Sequence, residues 1–346
     1  MTKVISIFNN KGGVGKTTLV WNVADTLARK GKRVLMVDFD PQCNLSLAVL
    51  GDETFKGKLP TENVPYGTTV RAYLQRFLQN TGDFEFFAHT GMHTHSDAKL
   101  VAGDFWVNVY SESLSVGSDL LTGTGIAKYA VLRDMISLAN KKEIDNQSEP
   151  FDYAIIDLPP SFGSLVRAAL YSSNYFIVPC TSDTFSSYCI GLIGNMLPTF
   201  FADWESGYKR FRDSNPQITK YDGLGNPKFA GWIFNGYDTL NGNYVQADKI
   251  HHDNIATSIQ ENIISNPNIV SATGLPQNSK VGEIEDMNVL VQNSTWQNTP
   301  VSQLETYHPL QKLQRRVNWS KSQIAQIRML GHKFEEIADS IINICV

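Results

Sequence analysis

With 346 residues, a net charge of −4 and 42% hydrophobic residues, the chain has the composition of a packed globule, long enough for one large α/β domain or two small ones. This excludes a disordered or fibrous chain and gives no bulk attraction to nucleic acid. No apolar run approaches the roughly 18 residues that span a bilayer, and the N-terminus enters a strand without a secretory pattern, so a cytosolic protein is expected. Cys43, Cys180, Cys189 and Cys345 show no C-x-x-C spacing, which points to reduced, buried thiols rather than disulfides or a zinc site.

The first apolar run, residues 4–8, leads into Asn9-Asn10-Lys11-Gly12-Gly13-Val14-Gly15-Lys16-Thr17-Thr18 and then into a helical alternation. A glycine-rich turn between a strand and a helix cradles phosphates with backbone N–H groups, and the helix N-terminus adds partial positive charge. In this pattern Lys16 binds the terminal phosphates, Thr17 coordinates magnesium, and residues 12–18 form the nucleotide cradle. Where the usual loop opens with glycine, this one has Asn10 followed by Lys11. A second flexible cation so close to Lys16 would crowd the same site or point away from it. Pointing away makes sense when the nucleotide lies at an interface and Lys11 reaches phosphates held by a second copy, which would make dimerisation depend on ATP.

Further β-rich runs follow at 34–37, 106–110, 153–156, 175–178 and 229–234, separated by helical patterns. That alternation predicts crossover units and one doubly wound, mostly parallel sheet flanked by helices, of the P-loop NTPase type, with ligands at the carboxyl ends of the strands. Asp38 and Asp40 alternate on an extended segment, so their side chains point the same way, and Asp157 ends an apolar strand where it can hold Mg²⁺ through water. Asn235 reads either as an adenine contact or as a turn former before Gly236. Segments 51–104 and 204–227, rich in Gly, Asn, Asp and Pro, read as loops or insertions within a single domain spanning 1–346. His89, His93 and His95 lie in an exposed loop without a fixed ligand geometry, and the His251-His252 pair reads as surface. A closing helix is predicted at about 320–344, with Ser320 as N-cap and Ile324, Ile327, Phe334, Ile337, Ile341 and Ile344 at helical spacing.

The loop from Lys11 to Thr18 resembles the deviant Walker A motif of the ParA/MinD ATPases. "VLMVDFDPQCN" is similar to the family's D-x-D-P-Q motif, and "FDYAIIDLPPSFG" to its Walker B strand with the following D-x-P-P-S. "NYFIVPCTSDTFSSYCIGL" and "GWIFNGYD" look like its later strands, so the likeness covers about residues 1–238 in the family's order. It implies an ATPase that uses ATP and Mg²⁺, probes the partner's nucleotide with Lys11 across a face-to-face dimer, positions the attacking water with Asp40 and supports the metal with Thr17, Asp38 and Asp157. The most similar members are ParA partition ATPases of the Soj type.

Between Thr306 and Phe334 there is no acid, while Lys312, Arg315, Arg316, Lys321, Arg328 and Lys333 all fall there. The stretch reads either as a contact for nonspecific double-stranded DNA or as a solvated helix face, as does "YKRFR" at 208–212. By resemblance the ATP dimer holds the nucleoid and a ParB-like or other adaptor stimulates hydrolysis. No membrane partner is expected, because Glu335, Glu336 and Asp339 on the closing helix would be repelled by anionic lipid. With only three residues before Val4, an N-terminal DNA-reading domain is not expected either. An iron–sulfur carrier sharing the two-lysine loop is the remaining alternative, for which Cys180 and Cys189 would need mates across a dimer axis.

Overall fold

The computed structural model describes residues 1–82, 84–115, 120, 122–240, 242–309 and 318–346. In chain order the first half contains β1 (Lys3–Ile7), α1 (Lys16–Arg29), β2 (Val34–Asp38), α2 (Asn44–Leu50), α3 (Asp52–Lys56), α4 (Val70–Gln79), β3 (His89–Thr90), β4 (Ala98–Val101), α5 (Val107–Ser115), α6 (Ile126–Tyr129) and α7 (Val131–Asp145). The second half contains β5 (Tyr153–Asp157), α8 (Ser164–Ser172), β6 (Tyr175–Thr181), α9 (Thr184–Ser214), β7 (Lys228–Tyr237), β8 (Thr239–Leu240), β9 (Asn243–Tyr244), α10 (Gln246–Ile259), β10 (Lys280–Glu285), α11 (Val289–Gln297) and α12 (Lys321–Ile344).

Eight strands form one sheet in the order β10-β7-β6-β1-β5-β2-β4-β3, parallel except for the short edge strand β3. Strands covered on both faces need apolar side chains at every position. Accordingly β2 and β5 are buried throughout. Side chains alternate between two cores. Val4, Leu35, Val37 and Ile156 pack with Met135 of α7, Val166 of α8 and Ile193 of α9. Ile5, Met36 and Ile155 pack with Leu19 and Val23 of α1 and with Phe334 and Ile337 of α12. The β1–β5 and β2–β5 registers set Ile7 and Asp38 opposite Asp157, so the loop and both acidic strand ends emerge at one edge.

Three segments differ from the sequence expectation. Residues 106–110 are not a strand but the start of α5. Asp104 terminates the preceding extended segment by accepting from the Trp106 N–H at 2.9 Å, and Val107, Tyr110 and Leu114 then bury themselves at helical spacing, so packing overrides the β-propensity of the aromatic and branched residues. The strand of this region is β4, inside the segment read as loop or insertion, where it pairs with β2. Residues 204–214 belong to α9, a 31-residue helix capped by Asp183. By length and composition α9 could cross a membrane, but Cys189, Ile190, Ile193 and Leu197 are buried in the core. At the other end, α12 begins with a reciprocal capping box between Ser320 and Gln323.

Candidate nucleotide site

The loop is shaped by its own backbone and by Asn9. Gly13 and Gly15 adopt φ of 76° and 81°, a left-handed conformation that side chains disfavour. Asn9 is fully buried. Its Nδ2 donates to the Pro179 carbonyl on β6 at 2.7 Å and its Oδ1 accepts the Lys11 N–H at 2.9 Å, which ties the loop entrance to the sheet.

The two lysines take opposite directions. Lys16 turns inward, donating to the carbonyls of Asn9 at 3.1 Å and Lys11 at 3.0 Å. Burial pushes its ammonium below the usual lysine range, against the pull of Asp157 and Asp40. Lys11 turns outward to the first turn of α9, donating to the Asp183 carboxylate and, at 2.7 Å, to Thr181 Oγ1. Burial would raise the Asp183 carboxyl, yet the hydrogen bonds from Lys11 and Thr181 outweigh it and hold the group below its ordinary value. Asp183 and Thr181 escaped the sequence reading; the only signal was the N-cap pattern of Asp183 ahead of the long helix.

Behind the loop sit three carboxylates. Thr17 Oγ1 donates to Asp157 Oδ2 at 2.7 Å. Burial, and then the Asp38 carboxylate, push Asp157 upward. Burial likewise pushes Asp38 upward despite two hydrogen bonds from Ser46. Asp38 Oδ1 and Asp157 Oδ1 are both buried without a hydrogen-bond partner. Two enclosed carboxylates with orphan oxygens beside a hydroxyl make an oxygen donor set that a hard cation such as Mg²⁺ satisfies. Among the described residues no group of three or more His, Cys, Asp or Glu side chains is arranged to hold a metal alone, so the phosphates and water must complete any shell. Asp40, 7% exposed, accepts the Gln42 N–H through Oδ1 at 2.9 Å and lines the cleft. That cleft, about 570 Å³, is lined by residues 12–18, Asp40 and Pro160, and extends past Trp21 to Val291 and Ser294 of α11.

Other candidates fall elsewhere. Asn235 is buried and donates to the Val14 carbonyl at 3.0 Å, bracing the loop from β7. Lys312, Arg315 and Arg316 lie outside the described residues. Lys321 is exposed at the start of α12, whereas Arg328 donates to Glu305 at 2.5 and 2.8 Å and Lys333 to Glu283 at 3.1 Å. The acid-free stretch thus meets its acids through space. Arg212 of the "YKRFR" segment lies 3.4 Å from Asp222. His89 bonds the Thr68 carbonyl and His93 bonds Tyr307, so these histidines serve separate contacts. His252 is not a surface residue: its side chain, 14% exposed, packs among Trp232, Phe234 and Tyr244. All four cysteines are buried free thiols.

An AAA domain family model matches residues 2–79 and 117–203. An uncharacterized protein of Methanocaldococcus jannaschii is 30% identical over 68% of this chain and 73% of its own length. The Bacillus subtilis sporulation initiation inhibitor Soj is 33% identical over 52% of this chain and 58% of its own, so the match spans little more than half of Soj. Among solved structures, a Corynebacterium diphtheriae protein superposes with a TM-score of 0.66 at 22% identity, covering 86% of this chain and 97% of that one. A Cyanothece McdA–ATP complex gives 0.62 at 15%, covering 98% and 96%. pNOB8 ParA, solved on nonspecific DNA, gives 0.57 at 17%, covering 99% and 98%. These likenesses carry the fold, a mostly parallel sheet flanked by helices. The chain belongs to the ParA-type P-loop ATPases.

Proposed function

We propose that this protein hydrolyses ATP with Mg²⁺, closes on ATP as a face-to-face homodimer through Lys11, and in that state binds double-stranded DNA without sequence preference, so that a ParB-like or other adaptor can trigger hydrolysis and release a cargo. The observation that carries the reading is the divergence of the two lysines: Lys16 faces the cleft, and Lys11 reaches the rim on Asp183. A cytoplasmic, nucleoid-associated protein is the corresponding location.

Phosphoryl transfer asks for positioning and charge neutralisation more than covalent help. Mg²⁺, when bound, neutralises charge building on the β- and γ-phosphates. Thr17 would hold it, with Asp157 and Asp38 in support through their unpartnered oxygens. The loop N–H groups of residues 12–18 wrap the phosphates. Lys16 exchanges its two carbonyl partners for phosphate oxygens. Asp40 orients the attacking water with the oxygen that Gln42 leaves open. The reading of Asn235 that its geometry supports is bracing the loop, with the adenine contact left to its remaining amide valences.

The DNA step rests on the relatives, among them a ParA solved on nonspecific DNA. The pairing of Arg328 with Glu305 and of Lys333 with Glu283 favours a second reading, in which the same ATP switch acts on a protein partner. Binding of random-sequence duplex by wild type and Lys11→Ala with ATP, ADP or no nucleotide, at two salt concentrations, separates them. ATP-dependent, salt-sensitive binding that Lys11→Ala abolishes supports the DNA reading; an ATP dimer that ignores DNA supports the protein partner.

A further inference from the structure

Ser46, on the first turn of α2, is fully buried beside Asp38. Its N–H and its hydroxyl both donate to the same oxygen of Asp38, Oδ2, at 2.8 and 2.6 Å. The Ser46 hydroxyl in turn accepts the Gly103 N–H at 2.7 Å. Gly103 follows β4, and a Cβ there would lie 2.9 Å from Asp38 Cγ and 3.1 Å from Cys43 Sγ, so only glycine lets this backbone come close enough to donate. The other Asp38 oxygen, Oδ1, has no partner, and neither has Oδ1 of Asp157.

We infer that Ser46 is a positioning residue: by claiming Asp38 Oδ2 with two donors, and being fixed itself by Gly103, it turns Asp38 Oδ1 towards the metal side of the phosphate loop. The inference rests on the ATPase reading and adds to it the group that sets the orientation of the carboxylate. A buried carboxylate turns about its single bonds unless hydrogen bonds hold it, and outer partners that orient carboxylates around a metal tune its affinity. Ser46 also joins three elements at this point, since α2 leads out of the Asp40 turn, β2 carries Asp38 and the segment after β4 supplies Gly103. Movement of α2 against β4 would therefore be felt at Asp38 Oδ1. The hydroxyl is the one side-chain atom that can accept from Gly103 and donate to Asp38 at once; alanine does neither.

The test uses the full chain with Ser46→Ala, and Ser46→Cys, which keeps the side-chain shape with a somewhat larger atom and a weaker donor, as the variant that decides if alanine impairs folding. A fluorescent ATP analogue is titrated in EDTA and then across a range of Mg²⁺ concentrations. For Ser46→Ala the Mg²⁺ needed for half-maximal tight binding is expected to rise about tenfold or more, with affinity in EDTA within about twofold of wild type, and Ser46→Cys falls between. Equal Mg²⁺ requirements in wild type and both variants overturn the inference, as does a loss of the same size in EDTA and in Mg²⁺, which marks a merely structural residue. A crystal structure of Ser46→Ala without nucleotide reads the positioning itself: a turned Asp38 carboxylate supports it, and an unchanged one overturns it. Should wild type bind no ATP analogue, the ATPase reading falls, and the orientation of Asp38 in that crystal still decides the role of Ser46.

Discussion

Lys11 lies with its ammonium on the Asp183 carboxylate, 172 residues away in sequence, while Thr181 and Ser186 complete its hydrogen bonds. A lysine that must reach a second molecule first has to leave this pocket. The pair is partly open to water, with side chains 17% and 38% exposed, so screening leaves it worth about 1 kcal/mol. Asp183→Asn removes the charge and keeps a good helix cap. Two such pairs open for each dimer formed, so ATP-dependent dimerisation is expected at about ten- to thirtyfold lower protein concentration, measured by analytical ultracentrifugation. Dimerisation at an unchanged or higher concentration would mean that Asp183 helps the lysine rather than retaining it.

On the proposed binding of ATP, Lys16 would exchange its hydrogen bonds to two carbonyls for bonds to phosphate. Lys16→Ala forfeits charge-assisted bonds worth about 1.5–3 kcal/mol, so ATP affinity should fall on the order of tenfold to a hundredfold, as isothermal titration would read. The fold should survive, because the ammonium packs against loop carbonyls and the open cleft rather than within a core.

The buried Asp38 and Asp157 give the nucleotide-free protein a characteristic pH dependence. Burial raises both carboxyls, helped by Asp40 beside Asp38 and by Asp38 beside Asp157, so the native state holds protons that the unfolded chain releases near its ordinary carboxylate value of about 4. Their contribution is complete below that value and is lost as pH climbs through the raised values. The Tm without nucleotide or metal should therefore decline from pH 6 to pH 9, and Asp157→Asn, neutral at every pH, should flatten that decline in differential scanning calorimetry. A Tm that rises across this range would contradict the assignment of both shifts.

Arg328 is neutralised by Glu305, with side chains 67% and 36% exposed. Solvent screens so exposed a pair almost completely, so Arg328→Ala should leave the Tm nearly unchanged. If DNA is bound, the same variant should leave the slope of log affinity against log salt nearly unchanged, whereas loss of a true phosphate contact lowers it by about 1. A slope reduced by a full unit would return Arg328 to the DNA interface.

The phosphate loop and its second lysine are legible in the chain because the function is contiguous: strand, glycines and helix N-terminus act within ten residues, and local backbone geometry is what a local sequence encodes. The buried strands β2 and β5 are legible for a related reason, since a parallel strand covered on both faces reads as a near-continuous apolar run, and "VLMVD" and "YAIID" do so up to the aspartate that ends each. Ser320 with Gln323 marks the start of α12 in the same local way. What the tertiary structure decided concerns partners brought together from afar. Residues 106–110 carry strand-forming side chains, yet the cap from Asp104 and burial at helical spacing fold them as α5. The run from Thr306 to Phe334 is acid-free in sequence, yet its Arg328 and Lys333 pair with Glu305 and Glu283 in space. Asn235 meets Val14 across 221 residues, and Ser46 meets Gly103 across 57. Propensity and capping act over a few residues and leave their mark on adjacent letters, whereas charge pairing and the satisfaction of buried polar atoms act over a few ångströms, and only the folded chain sets which residues those are.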